Sequence, residues 1–118
     1  MPVTIQLSPA HMADYFATFT RHHLLNESAD VADVELLSRE LGDQPVVTGG
    51  HLTGITYEPK ANMLELEFDS GDVRAFQPKE VWVVEEENGF LRAVEIVRDD
   101  DTRELIQVRR LALRKRDD

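Results

Sequence analysis

His22, His23 and Glu27 form an H-H-x-x-x-E run, and on a helix His23 and Glu27, four residues apart, would share one face. Imidazole and carboxylate are zinc-ligand types, but a closed site needs two further ligands, and only His11 and His51 remain as histidines. The plainer expectation is that imidazoles near a helix C-terminus interact favourably with its dipole. Asp99, Asp100 and Asp101 offer oxygens to a hard cation such as calcium. They lack a loop glycine and a distal bidentate glutamate at the familiar calcium-loop spacing, so a solvated hairpin turn is expected there.

Carboxylates are plentiful elsewhere. Glu85, Glu86 and Glu87 fall at a hairpin tip, and Glu65 and Glu67 line an outward strand face. General acid–base work requires a carboxylate in a water-poor cleft, which residue spacing does not establish. The serines at positions 8, 28, 38 and 70 have no G-x-S-x-G context. Gly49-Gly50 and Gly54 precede more strand, whereas a phosphate cradle requires a helix start, and there is no P-loop or dinucleotide fingerprint. No catalytic, cofactor-binding or metal-binding residue is assigned. The expectation is a non-enzymatic protein without a cofactor.

The elements around these residues follow from pattern. At 118 residues, 42% hydrophobic and 31% charged, the chain has the size and composition of one soluble globular domain, residues 1–118. Its net charge is -10. Residues 109–118 carry five Lys/Arg and two Asp/Glu, which places a +3 tail on a body of -13. An acidic body repels phosphate backbones, so nucleic acid is not the expected partner; the basic tail, residues 112–118, is expected to be solvated. Zero cysteines exclude disulfides, thiolate metal sites and cysteine nucleophiles. No apolar run approaches bilayer length and MPVTIQLSPAH lacks a signal pattern, so no membrane partner and a cytoplasmic location are expected.

Leu7-Ser8-Pro9 is a helix start, with Ser8 to cap, Pro9 in the first turn and Leu7 to staple against Met12. The helix is expected over about 8–25, with Met12, Tyr15, Phe16 and Phe19 inward and Asp14, Thr18 and Arg21 outward. From Val31 the period becomes two, and strands are expected from Val31 to before Leu41 and over about 46–57, 63–68, 73–76, 79–86, 90–97 and 104–111. Gly49, Gly50 and Gly54 interrupt the second strand, and such bends let one strand serve both halves of a sheet. Asn88-Gly89 marks the tightest hairpin. One helix followed by short strands predicts an α+β fold. The helix packs on a strongly bent antiparallel sheet, or on a small SH3/Sm-like barrel, of five to seven strands.

PAHMADYFATFTRHH, ADVELLSRELGDQ, LTGITYEPK, VWVVEEENG and AVEIV together resemble a family of small stand-alone bacterial proteins classed as a domain of unknown function. The resemblance runs from about Leu7 to Val108. It implies an N-terminal helix with antiparallel strands and brings no assigned activity. By order of elements alone the chain is also similar to Sm-like barrels, an analogy of fold only. The first functional expectation is a module that associates with itself or with another protein, Tyr57, Phe76, Trp82 and Phe90 supplying the contact. The alternative is an Sm-like RNA-binding module using the Arg-rich C-terminus. A third is a small enzyme whose pocket is lined by carboxylates and His51.

Overall fold

A computed structural model of the protein describes residues 2–24, 30–87 and 90–110. The chain opens with a strand, β1 (Val3–Leu7), ahead of the expected helix. The helix α1 (Pro9–Phe19) begins two residues after β1 ends, with Ser8 at its N-cap position and Pro9 in its first turn. The Ser8 hydroxyl makes no capping bond; its Oγ lies 2.7 Å from His11 Nδ1, while His11 N–H donates to the Ser8 carbonyl. Met12, Phe16 and Phe19 are buried, and Asp14, Thr18 and Arg21 are exposed, as the helical spacing requires. The α-helix stops at Phe19 rather than near residue 25. Thr20–Leu24 continue as a π-helical turn, and Thr20 is where the chain engages the sheet.

Seven strands follow: β2 (Asp30–Ser38), β3 (Gly42–Glu58), β4 (Met63–Phe68), β5 (Gly71–Phe76), β6 (Pro78–Glu85), β7 (Leu91–Arg98) and β8 (Arg103–Arg110). They form one antiparallel sheet of eight strands in the order β1-β6-β7-β8-β2-β3-β4-β5. The fold is α+β, one short helix on a bent sheet. Among the described residues the sheet ends at β1 and β5, so hydrogen bonding there does not close it into a barrel, and their strand count exceeds the expected range by the unforeseen β1.

The bend is built into β3. Its first part pairs with β2 from Gly42 to His51, and its second pairs with β4 from Leu52 to Glu58. Register shifts interrupt the pairing between Ala32 and Val34, between Val34 and Glu35, and between Leu52 and Gly54. At the first, Thr48 and Gly49 together stand opposite Asp33; Gly49 adopts φ 63° and its N–H donates to Asp33 Oδ1 at 2.7 Å. This is a bulge in which glycine supplies the left-handed residue, and bulges increase local twist. Gly50 lets the fold turn inward, because a β-carbon there would lie 2.6 Å from Val47 Cγ1 and 2.8 Å from Phe68 Cδ1.

The bend makes two wings whose apolar faces enclose one core. Val81 and Val83 of β6, Val94 and Ile96 of β7, Ile106 of β8 and Val34 of β2 are buried on one wing. Leu52, Ile55 and Tyr57 of β3 with Leu64, Leu66 and Phe68 of β4 are buried on the other. Helix α1 joins the wings. Tyr15 donates its hydroxyl hydrogen to Glu85 at the end of β6, and Phe19 meets Phe90 edge-on at 5.9 Å beside the β6–β7 connection. On the other wing, Thr20 Oγ1 donates to the Ile55 carbonyl at 3.1 Å and accepts from Ile55 N–H at 3.0 Å. Ile55 lies beyond the last residue paired with β2, so Thr20 satisfies backbone groups on the side of β3 that β2 has left.

Candidate interaction surface

The two edges of the sheet differ in chemistry. β5 reads GDVRAF; Asp72 and Arg74 are exposed, and Arg74 pairs with Glu65 of β4 at 3.1 Å. Charged side chains are a common protection of a sheet edge against further pairing. β1 reads VTIQL and carries no charge. Among the described residues it pairs with β6 alone, in the register Val3↔Glu85, Ile5↔Val83 and Leu7↔Val81. Residues directly opposite share a face, so Val3, Ile5 and Leu7 lie on the face where Val81 and Val83 are buried. Their cover fades along the strand: Leu7 is 8% exposed, Ile5 37% and Val3 52%. Thr4 and Gln6 face the opposite side, with Gln6 beside Trp82. An antiparallel strand paired on one side directs alternate N–H and C=O groups away from its neighbour. The β1 edge therefore combines outward backbone donors and acceptors with two exposed apolar side chains.

Of the four aromatic residues expected to supply a contact, the side chains of Tyr57, Trp82 and Phe90 are described, and these three do not lie on one surface. Tyr57 is buried in the core and its hydroxyl donates to Asn62 Oδ1 at 2.7 Å. Phe90 is buried against Phe19, so the residue after the hairpin turn joins the core instead of the exterior. Phe76 ends β5, and its side chain lies outside what the structure describes, as does the Asn88-Gly89 turn. Trp82 is half-buried on the outer face of β6, one strand in from the β1 edge, its Nε1–H donating to Glu80 Oε1 at 3.0 Å. Of the described aromatic side chains in that set, Trp82 alone reaches the surface next to β1.

The chemistry-bearing residues are dispersed. His11 is at the start of α1 and His51 in β3, His22 sits in the π turn, and Glu27 and the side chain of His23 lie outside the described residues. No group of three or more His, Asp or Glu among the described residues is placed to hold a metal ion. Asp99–Asp101 form the β7–β8 turn: Thr102 N–H donates to Asp100 Oδ1, and Lys79 Nζ meets Asp101 Oδ1 at 2.9 Å. That hydrogen bond holds the Asp100 carboxyl below its usual pKa, and Lys79 does the same for Asp101. An open depression of about 430 Å³ is lined by Leu37, Ser38, Arg39, Asp43, Asp101 and Arg103; His51 is not in its wall. Arg109, the first residue of the basic run, pairs with both oxygens of Asp33 at 3.2 and 3.1 Å, and residues 111–118 lie outside the described ones.

Among the described residues one carboxylate is buried. Glu104 of β8 is 4% exposed, opposite Ile96 on β7 and Leu36 on β2. Its Oε2 has no hydrogen-bond partner and lies 3.6 Å from Arg98 Nε. Burial raises the Glu104 pKa and the Arg98 guanidinium opposes the rise. A raised carboxyl pKa means that the folded state binds more protons than the unfolded one. The stability it removes at neutral pH returns as pH falls through the folded-state pKa, and nothing further is gained below the ordinary value of 4.5. Glu104→Leu is expected to stabilise the protein at neutral pH by roughly 1 kcal/mol, the relieved desolvation of a buried carboxylate outweighing the loss of its ion pair with the part-exposed Arg98. The gain should shrink as pH is lowered through that window. Urea melts of both proteins across acid pH measure it, and a pH-independent difference would show that the carboxylate carries no such penalty.

No helix among the described residues is long and apolar enough to cross a membrane. A family model described as a family of unknown function (DUF5335) matches residues 3–116. A bacterial relative from Aquifex aeolicus (strain VF5), described as an uncharacterized protein, is 33% identical over 85 residues, covering 71% of this chain and 76% of that protein. No solved structure matches the chain.

Proposed function

The chain belongs to the DUF5335 family, and from that premise we propose that it is a protein-interaction module that accepts a partner strand along β1. The observation that carries this reading is the contrast between the edges: β1 is uncharged with Val3 and Ile5 exposed, whereas β5 carries Asp72 and Arg74. Strand addition draws affinity from main-chain hydrogen bonds and specificity from alternate side chains, and β1 offers both. Trp82, beside Gln6 on the outer face, extends the contact one strand inward.

The test uses a capped hexapeptide of alternating Val and Thr, with amide hydrogen exchange read along β1 and β5. The expected result is slower exchange at the outward-facing amides of β1 and none of this effect at β5. Ile5→Lys should abolish the protection and leave the unfolding midpoint within a few degrees, because Ile5 is already one-third exposed. Protection at β5 in place of β1, or protection that survives Ile5→Lys, would remove the reading.

A further inference from the structure

We infer that the strand taken up by β1 is β1 of a second copy, in a two-fold antiparallel pairing centred on Ile5; this rests on β1 being the strand-accepting edge. The polarity of V-T-I-Q-L is the same read in either direction, apolar, polar, apolar, polar, apolar. About a two-fold axis at Ile5, Val3 meets the second copy's Leu7, Ile5 meets its counterpart, and Thr4 meets Gln6. Every apolar residue then falls opposite an apolar one on the face that continues the core, and every polar residue opposite a polar one. A one-residue slip would move the apolar set to the wrong face. An isologous contact must be self-complementary, and this strand is.

Charge at the seam does not oppose this occupant. Two chains of net charge -10 repel one another, and an edge bearing acidic residues would concentrate that repulsion at the seam. β1 has none. Repulsion between the bodies remains and is screened by salt, so association strengthens as ionic strength rises, opposite to phosphate-backbone binding. The seam is five residues long, small among specific interfaces, and the dimer dissociates on dilution.

The chain contains no cysteine, so single-cysteine variants report the register without background. Directly opposite residues in an antiparallel pair have Cα atoms about 4.5–5.5 Å apart, inside the range a disulfide bridges, whereas diagonal neighbours two residues off exceed it. Under mild oxidation of the full chain, Ile5→Cys should cross-link to itself. Thr4→Cys alone and Gln6→Cys alone should cross-link at least about tenfold more slowly, and their mixture should form the mixed dimer. Ile5→Lys and Ile5→Glu should each be monomeric by light scattering, and a 1:1 mixture should recover the dimer, which keeps the test valid where a cysteine perturbs the strand. A wild-type monomer at all concentrations and salts overturns the second copy while the peptide experiment still decides the β1 edge. A dimer with equal cross-linking at positions 4, 5 and 6, or one untouched by Ile5→Lys, overturns the register and the seam.

Discussion

Thr20→Val is expected to lower the unfolding free energy by about 2–4 kcal/mol, a shift on the order of 10 °C in melting temperature. The substitution keeps shape and volume and removes one hydroxyl. That hydroxyl donates to the Ile55 carbonyl and accepts from Ile55 N–H, and Ile55 is 1% exposed. Its loss leaves a buried donor and a buried acceptor of the same residue unpaired on the side of β3 that has parted from β2, and each such group costs about 1–3 kcal/mol. Thr20→Ser retains both bonds and should fall close to the wild type. Thermal and urea melts of the three proteins give the comparison. A Val variant within about 0.5 kcal/mol of wild type would mean that the helix-to-β3 contact is held by apolar packing alone.

Gly50→Ala is expected to cost about 1–3 kcal/mol through overpacking at the bend. The added methyl meets the branched Val47 Cγ1 and the Phe68 ring, neither of which is the far end of a flexible side chain. In a Val47→Ala background the nearer obstacle is gone, and the cost of Gly50→Ala should drop measurably, a coupling that a double-mutant cycle reads directly. Gly49→Ala is the internal control. Apart from its chain neighbours, no described atom lies within 4 Å of its missing β-carbon, but φ is 63°, so its cost of about 1 kcal/mol is conformational and should be indifferent to Val47. Equal coupling at both glycines would show that the bend is limited by backbone geometry rather than by close packing.

Much of this architecture was legible where local pattern and burial agree. Met12, Phe16 and Phe19 at helical spacing are buried, and the alternation of Leu64, Leu66 and Phe68 with Glu65 and Glu67 places the first set in the core. The glycines of β3 were readable as the bend, because few other residues tolerate left-handed backbone or close approach. The strand β1 was missed although Val3, Ile5 and Leu7 alternate with Thr4 and Gln6. Five residues next to a strong Ser-Pro helix start are a weak strand signal, and their partner β6 lies far along the chain. The candidate surface was missed for the same reason, since an edge is a property of strand order rather than of any one segment. Tyr57 and Phe90, expected at a contact surface, are buried: Tyr57 bonds Asn62 and Phe90 meets Phe19 of α1 edge-on, neighbours that no local pattern reveals. Thr20 carries no local signal at all; its role depends on the place where β3 leaves β2.

The strand order also dictates when each part of the molecule can exist during synthesis. Five of the seven neighbour pairs join consecutive strands: β2 to β3 to β4 to β5, and β6 to β7 to β8. These meanders can zip as soon as each hairpin leaves the ribosome. The other two, β1 to β6 and β2 to β8, close long loops and bear the largest entropic cost of closure. β1, made before β6, has no partner strand in this sheet until β6 has been made. For that interval nascent chains on neighbouring ribosomes expose the same V-T-I-Q-L stretch, and growing chains rather than finished ones face the greater hazard of promiscuous strand capture.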